Sequence, residues 1–423
     1  MPLTALDPGR VSSLLILDGH STAALAVLQS LGRLGRYHCW VAAGAKDTLV
    51  SRSRYAHAVA TYPNPMADKT AFQRWIVEFQ EKNRFDLIIP TTEASLIPLH
   101  EIRGAPELIG VLAIPPAAAV ETAFDKERLR SLAESLGVPT PRTLLLSGRE
   151  DLGGVQPLAF PMVVKPVRSK AWEKDGGRHL EVVTVRSEAA LVAAVNELLP
   201  FGPVQLQEWV PGAGIGVEIL ARKGRPVLTF AHLRLHEYPL TGGASSYRVA
   251  VPPPKELLRS SSMLLEALEW EGVAMVEFRY DQAANRSWLM EINGRFWGSL
   301  PLAIAAGADF PRAMVELLLE QKDPVPFLFR RSTYARNVSR DVAWLKATFG
   351  ELARHPSWAG CGKLLYALLE WGRVFTGQET WDGATLQDIR PFLKDLSSLI
   401  RTEVGGILAP SRRVKGKPQG VPK

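Results

Sequence analysis

Cysteine is nearly absent. Cys39 and Cys361 are the two in 423 residues, far apart and without metal-ligand spacing, which excludes a disulfide framework and a cysteine-built zinc site. No apolar run reaches the ~20 residues that a bilayer-spanning helix needs. Residues 1–10 hold no basic segment ahead of an apolar core, so no signal peptide is expected and the cytoplasm is the default. Excess charge is also missing from the body of the chain. The formal net charge is +7, but the stretch from Ala409 carries Arg412, Arg413, Lys415, Lys417 and Lys423 with no acid, and without those five the remainder carries +2. A basic, Pro- and Gly-containing tail over 409–423 is expected to be a disordered end, so no nucleic-acid partner is expected. The first strand-to-helix turn, Asp18-Gly19-His20-Ser21, lacks G-x-G-x-x-G and offers no obvious dinucleotide site.

What is present is a soluble composition, 46% hydrophobic and 22% charged, in a chain long enough for two or three domains. Residues 11–18, 38–43 and 86–90 read as buried strands, with helical patterns over 22–34 and 68–82 between them. Alternation of this kind predicts a small parallel α/β sheet. At the end of the third strand, Thr91-Thr92-Glu93 predicts a helix start, with Thr92 as cap and Glu93 in the first turn; a substrate role is the lesser reading.

Pro115-Pro116 breaks the chain before a helical pattern over 118–136 that carries Asp125-Lys126-Glu127-Arg128. Strands are expected at 143–146, at 160–166 ending in Lys165-Pro166, and at 204–210, with a polar loop over 168–178 and a helix over 187–199. Gly212-Ala213-Gly214-Ile215-Gly216 imitates a phosphate loop, but a strand follows it, whereas such cradles open a helix. A strand is expected over 226–235, and continued alternation puts His232, Arg234 and His236 on one face, with a Gly-rich loop and Arg248 behind. Those cations suit phosphate or carboxylate groups; a solvated face explains them too.

The sharpest pattern is the pair of apolar runs 273–280 and 287–293, separated by Asp281-Gln282-Ala283-Ala284-Asn285, which predicts a hairpin. Glu291 and Asn293 share one face of the second strand, and Glu277 on its partner can meet them. Two carboxylates and an amide oxygen make a hard-oxygen site suited to Mg²⁺ beside phosphates. Pairing with Arg279 and Arg295, or a solvated face, accounts for the acids equally well on spacing alone. After Pro324-Val325-Pro326, helices are expected over 342–353, 362–374 and 386–402. The 362–375 segment is compatible with a membrane-surface or partner-binding role, but packing onto the body is expected, as aromatic stripes with Trp344, Trp358, Trp371 and Trp381 are more often core.

Val-Glu-Phe at 276–278, followed after a turn by Met290-Glu291-Ile292-Asn293-Gly294-Arg295, resembles the metal-binding hairpin of the ATP-grasp superfamily, which includes biotin carboxylase, carbamoyl phosphate synthetase and D-alanine:D-alanine ligase. Through Arg295-Phe-Trp-Gly-Ser-Leu-Pro it is similar to the branch described as ATP-dependent carboligases, which resembles D-aspartate ligases. The resemblance implies an α/β and α+β fold: a Rossmann-like domain over 1–115, a two-subdomain ATP-grasp domain over 116–320, and a helical extension over 321–408. It implies phosphate contacts from Lys126 and Lys165, adenine contacts from Glu208 and Val210, Mg²⁺ or Mn²⁺ on Glu277, Glu291 and Asn293, and a catalytic Arg295 beside Lys165. Arg234 and Arg248 are the substrate candidates. The implied reaction is ATP- and Mg²⁺-dependent joining of a small carboxylate to an amine through an acyl phosphate. A bicarbonate-using carboxylase and a nucleotide-binding protein without turnover are the alternatives, and a homodimer is compatible with either.

Overall fold

The computed structural model describes residues 11–408 except 155–157, 174–175 and 326. The start of the chain, part of the 168–178 loop, Pro326 and the basic tail 409–423 therefore lie outside the described residues. Four strands open the fold: β1 (Ser12–Ile16), β2 (Tyr37–Ala43), β3 (Ala58–Thr61) and β4 (Leu87–Ile89), all parallel in the order β3-β2-β1-β4. Runs such as Leu14-Leu15-Ile16-Leu17 are apolar on both faces because helices cover both sides of a parallel sheet. Where a dinucleotide fold would carry its glycine cradle, Asp18 is buried with φ of 60°. Its Oδ2 accepts from the Thr91 and Thr92 backbone N–H groups at 2.9 and 2.8 Å and from Ser95 Oγ at 2.6 Å. That carboxylate fixes the two residues leading into the Glu93–Glu101 helix and the Ser95 side chain in its first turn. Thr92 occupies the N-cap position of the Glu93–Glu101 helix but makes no capping bond with its side chain.

The second sheet is antiparallel, ordered β5-β10-β6-β9, from β5 (Thr143–Leu146), β6 (Met162–Pro166), β9 (Val183–Val185) and β10 (Val204–Glu208). Between β6 and β9, the strands β7 (Lys170–Glu173) and β8 (Gly176–His179) form a separate two-stranded hairpin. The helix expected over 118–136 is two, Ala117–Ala123 and Lys126–Ser135, because the Asp125 side chain accepts from the Glu127 and Arg128 N–H groups and starts a new helix.

The third sheet has seven strands in the order β15-β14-β11-β12-β13-β16-β17. They are β11 (Ala213–Arg222), β12 (Arg225–Tyr238), β13 (Ala244–Val251), β14 (Gly272–Asp281), β15 (Arg286–Asn293), β16 (Tyr334–Arg336) and β17 (Glu379–Trp381). The last two come from the stretch expected to be helical. Its helices, Val338–Arg354, Trp358–Glu370 and Arg390–Leu408, are present, and two three-residue strands too short to show a period, one ahead of the first helix and one between the second and third, extend the sheet.

One face of this sheet is apolar along β11 and β14, with Ile215, Val217, Ile219, Val276 and Phe278 packed against the Lys126–Ser135 and Lys255–Ala267 helices. The other face is graded. At one end Leu220, Leu228, Phe230, Val273 and Met275 pack with the Leu300–Ala305 and Phe310–Glu320 helices and with the helix Thr22–Gly32 that follows β1. Further along the same face the side chains turn polar: Glu218, His232, Arg234, Glu277 and Arg279. Register puts Gly216 opposite both His232 and Glu277, so these groups share that face. Among the described residues no helix is long and apolar enough to cross a membrane.

Candidate active site

The β14–β15 hairpin pairs Glu277 directly with Glu291 and Met275 with Asn293. Asn293 is buried, and its Nδ2 donates to Glu277 Oε1 and Glu291 Oε1, both at 3.0 Å. Its Oδ1 accepts from Arg295 Nη2 at 2.9 Å. Arg295 Nη2 also donates to Glu93 Oε1 at 3.2 Å, which ties the hairpin to the Glu93–Glu101 helix of the first sheet. The three oxygen-bearing residues picked out in the sequence thus meet at one point.

Two half-buried carboxylates side by side are unfavourable unless positive charge lies near. Burial raises the Glu277 carboxyl above its usual range; Arg234, whose Nη2 donates to Glu277 Oε2, opposes the rise and Glu291 adds to it. Burial works against ionisation of Glu291 as well, but Lys126, the Asn293 amide, Arg295 and Lys165 outweigh it and hold Glu291 low. One carboxyl is kept ionised and its neighbour is held back, a state that a divalent cation would relieve. Among the described residues no group of three or more His, Cys, Asp or Glu is placed so that it could hold a metal ion by itself. The donor set here is two carboxylates and an amide, which suits Mg²⁺ completed by phosphate oxygens and water.

Lysines face the acids. Lys126 begins its helix, its backbone N–H donates to Val167 O at 3.0 Å, and its Nζ donates to Ser169 Oγ at 2.8 Å. Lys165 is buried on β6, and its Nζ donates to Gln207 Oε1 at 2.6 Å on the adjacent strand β10. Burial, and secondarily Lys126, pushes Lys165 down to about 8 against the pull of Glu291. Burial lowers Lys126 and Lys170 too. A further positive group therefore joins those expected: Lys170, on the loop that the sequence marked only as polar. Among the described residues Arg234 Nε and Arg295 Nε are buried and find no hydrogen-bond partner. Buried donors of this kind call for an acceptor that is not part of the chain.

Lys126, Glu291 and Asn293 open onto a cavity of about 690 Å³, also lined by Glu93, Lys170 and Trp172. The described part of the 168–178 stretch is not an irregular loop: β7 and β8 pair and meet the turn that follows β3, where Trp172 Nε1 donates to Pro65 O at 2.9 Å and the Gly177 N–H bonds Met66 O. A Cβ on Gly177 would stand 2.6 Å from Met66 Cε, so glycine there permits the close approach.

Glu208 ends β10, and its Oε1 accepts from the Arg142 N–H at 2.8 Å. Val210 is half-buried just past the strand, which stops at Glu208 rather than at 210. Arg248 is buried, its Nη2 donates to Asp382, and it does not line the cavity. His236 departs from the face shared by His232 and Arg234. A register shift between Arg234 and His236 reverses the alternation, so His236 stands opposite Tyr247, stacks on Trp344 at 3.5 Å and meets Asp341 and Glu370.

Below the acids lies a pair that the sequence reading missed. Glu218 and His232 are buried against each other on β11 and β12. Burial drives the Glu218 carboxyl well above its usual range and the His232 imidazole well below its own, so it disfavours charge on either partner. The signal was Gly214-x-Gly216-x-Glu218. A Cβ on Gly214 would stand 2.3 Å from Glu237 Oε1, and one on Gly216 2.6 Å from His232 Cε1. Glycines alternate in this strand because long polar side chains from its neighbours cross over them.

Comparison with known proteins agrees with this architecture. Residues 201–339 match the family described as ATP-grasp in the biosynthetic pathway with Ter operon. A D-alanine–D-alanine ligase of Pseudomonas entomophila is 27% identical over 212 residues, which cover 47% of this chain and 64% of the ligase, so the likeness leaves more than a third of that enzyme unmatched. Among solved structures, the L-amino acid ligase from Bacillus licheniformis superposes with a TM-score of 0.59 at 18% identity, over 77% of this chain and 79% of the ligase. The N5-carboxyaminoimidazole synthetase from Staphylococcus aureus complexed with ADP gives 0.61 at 15% identity, over 84% and 88%. An antiparallel sheet carrying Lys165, a larger sheet carrying the acid hairpin and a parallel sheet ahead of both make a fold shared with these solved structures, and the acid hairpin lies inside the stretch that matches the ATP-grasp family.

Proposed function

We propose that the protein is an ADP-forming ligase that joins a small carboxylate, such as an amino acid, to an amine. The observation that carries this reading is the meeting of Glu277, Glu291 and Asn293 near Lys126 and Lys165, with Lys126, Glu291 and Asn293 lining a cavity large enough for a nucleotide tail and a small acid. The ADP in the Staphylococcus aureus synthetase supports a nucleotide in the same fold.

Lys126 and Lys165 neutralise the phosphates. Gln207 keeps the Lys165 ammonium aimed, and Ser169 does the same for Lys126. Glu277 and Glu291 would hold Mg²⁺, with the Asn293 amide turned to offer its oxygen; the ion would supply charge neutralisation at the phosphates. Arg295, braced by Glu93 and Asn293, presents its unpartnered Nε toward negative charge that develops on the transferring group. The carboxylate attacks the γ-phosphate to give an acyl phosphate, the amine displaces phosphate from it, and no covalent bond to the protein is required. The β7–β8 hairpin roofs the cavity from the first sheet and excludes water that would hydrolyse the acyl phosphate.

The test is ADP release from ATP and Mg²⁺ across panels of amino acids and amines. Turnover that needs both a carboxylate and an amine supports the reading. Dependence on bicarbonate would replace it with a carboxylase, and nucleotide binding without turnover across the panels would replace it with a binding protein.

A further inference from the structure

The active-site cavity runs on past the reacting groups. Glu93, Ile97, His100 and Glu101 line it from one helix, at the spacing of a single helical face. Glu101 lies two turns beyond Glu93, about 12 Å along the axis. The two ends differ. At the first, Glu93 meets Arg295 and through it Asn293, beside the acid hairpin. At the second, Glu101 Oε1 accepts from Lys69 Nζ at 2.9 Å, and that ammonium stands 5.5 Å from the centre of the Trp172 ring. Between the ends the wall is apolar. Val120 is buried with Leu96 and Ile114, while Ile97 and Phe124 pack on that cluster and stay partly open on the cavity side.

Groups without a partner gather at the first end. Lys170 lines the cavity from β7, and among the described residues its Nζ makes no hydrogen bond or ion pair. The charges that act on it are Glu93, Arg295 and Asp18, which places its ammonium beside them. Arg295 Nε is an unpartnered buried donor, and Arg295 engages Glu93 through Oε1, leaving Glu93 Oε2 with nothing to accept from among the described residues. Two cationic donors beside one carboxylate oxygen complement the carboxylate and ammonium of an α-amino acid. We propose that the carboxylate substrate is an α-amino acid with a large apolar side chain. Its carboxylate lies between Lys170 and Arg295, its ammonium meets Glu93, and its side chain runs along the Glu93–Glu101 helix over Ile97 and Phe124. A methyl side chain would leave that wall wet. An acidic one would be set against Glu101 and Glu121, which also lines the cavity, and a basic one would find Glu101 already paired with Lys69. What happens to the bound carboxylate rests on the ligase reading; which amino acid is held does not.

The experiment is calorimetric titration of alanine, leucine, phenylalanine, lysine and glutamate, each as both enantiomers, into the full chain with ADP and Mg²⁺ present, so that no turnover is needed. Leucine and phenylalanine are expected to bind at least roughly tenfold tighter than alanine, and lysine and glutamate no tighter than alanine. Ile97→Trp fills the channel and Phe124→Ala removes part of its wall. Each is expected to pull the ratio of leucine to alanine affinity toward one, with ADP affinity and circular dichroism kept. Lys170→Met is expected to weaken every amino acid by roughly tenfold or more and to leave the ratio as it is. Three results would overturn the proposal: leucine and phenylalanine no tighter than alanine, including no binding of any amino acid; glutamate or lysine the tightest; or a ratio that neither Ile97→Trp nor Phe124→Ala moves. ADP release from ATP with hydroxylamine as the amine is read separately. Its absence while the ratio holds would remove the ligase activity and leave the amino acid pocket standing.

Discussion

At the β14–β15 hairpin, charge lies inside the protein where apolar side chains would be the stable choice; on the Trp358–Glu370 helix, apolar side chains lie outside where charge would be the stable choice. Both depart from ordinary burial, and the departures differ in kind. Inside, the acids are partly compensated by their own neighbours, Arg234 for Glu277 and Lys126 for Glu291, while buried donors on Arg234 and Arg295 are left over. Outside, nothing in the described residues covers Trp358 or Phe375. A third region shows what a finished interior looks like. Arg336, fully buried, is paired with Asp341 and Glu379 and sandwiched between the rings of Tyr247 at 3.8 Å and Trp371 at 4.5 Å. Its charge is spent on the fold, whereas that of the hairpin remains available to a ligand.

The comparison breaks most visibly at Glu291. Glu291→Gln is expected to lower kcat/KM for ADP release on the order of 10³-fold with the fold intact by circular dichroism. A change below tenfold would make the acid structural. Next comes Arg234→Met, which leaves Glu277 beside Glu291 without its cation and is expected to cost about 3–5 kcal/mol in urea unfolding. Added Mg²⁺ with nucleotide is expected to recover part of that loss; recovery by neither would place Arg234 with the finished interior.

Lys165 sharpens the electrostatic side. Its ammonium is held down to about 8, so it is cationic below that pH and neutral above it in the nucleotide-free protein. Phosphate contact needs the cation. Nucleotide affinity is therefore expected to fall as pH rises through about 8, by up to roughly tenfold per unit, while Lys165→Met binds weakly with that pH dependence removed. The smallest effect belongs to the outer region: Trp358→Ser is expected to shift stability by no more than about 0.5 kcal/mol, measured by urea unfolding. A large loss would mean that the ring packs against the protein.

Much of the interior was legible because strands report their faces. Acids in apolar runs made Glu277 and Glu291 candidates that spacing alone left even with a solvated face, and the resemblance to ATP-grasp proteins singled them out together with Lys165. What stayed hidden depended on register or on residues distant in sequence. The irregularity after Arg234 sends His236 to the other face, which no alternation rule foresees. Glu93 lies 202 positions from the Arg295 that it braces, and it looked like an ordinary helix start. Thr92 makes no capping bond, and Asp18, 73 positions from Thr91, instead fixes the residues ahead of that helix by accepting from the Thr91 and Thr92 N–H groups. The 362–375 segment was expected to pack onto the body, and one side does. Periodicity locates an apolar stripe but does not say whether it turns inward.

The account rests on the hairpin acids being held for a divalent ion shared with a nucleotide. Calorimetric titration of ADP into the protein with Mg²⁺, and again with EDTA, tests this most directly. Affinity at least roughly a hundredfold tighter with Mg²⁺, and lost in Glu277→Gln/Glu291→Gln, is the expected result. Equal affinity under both conditions would contradict it.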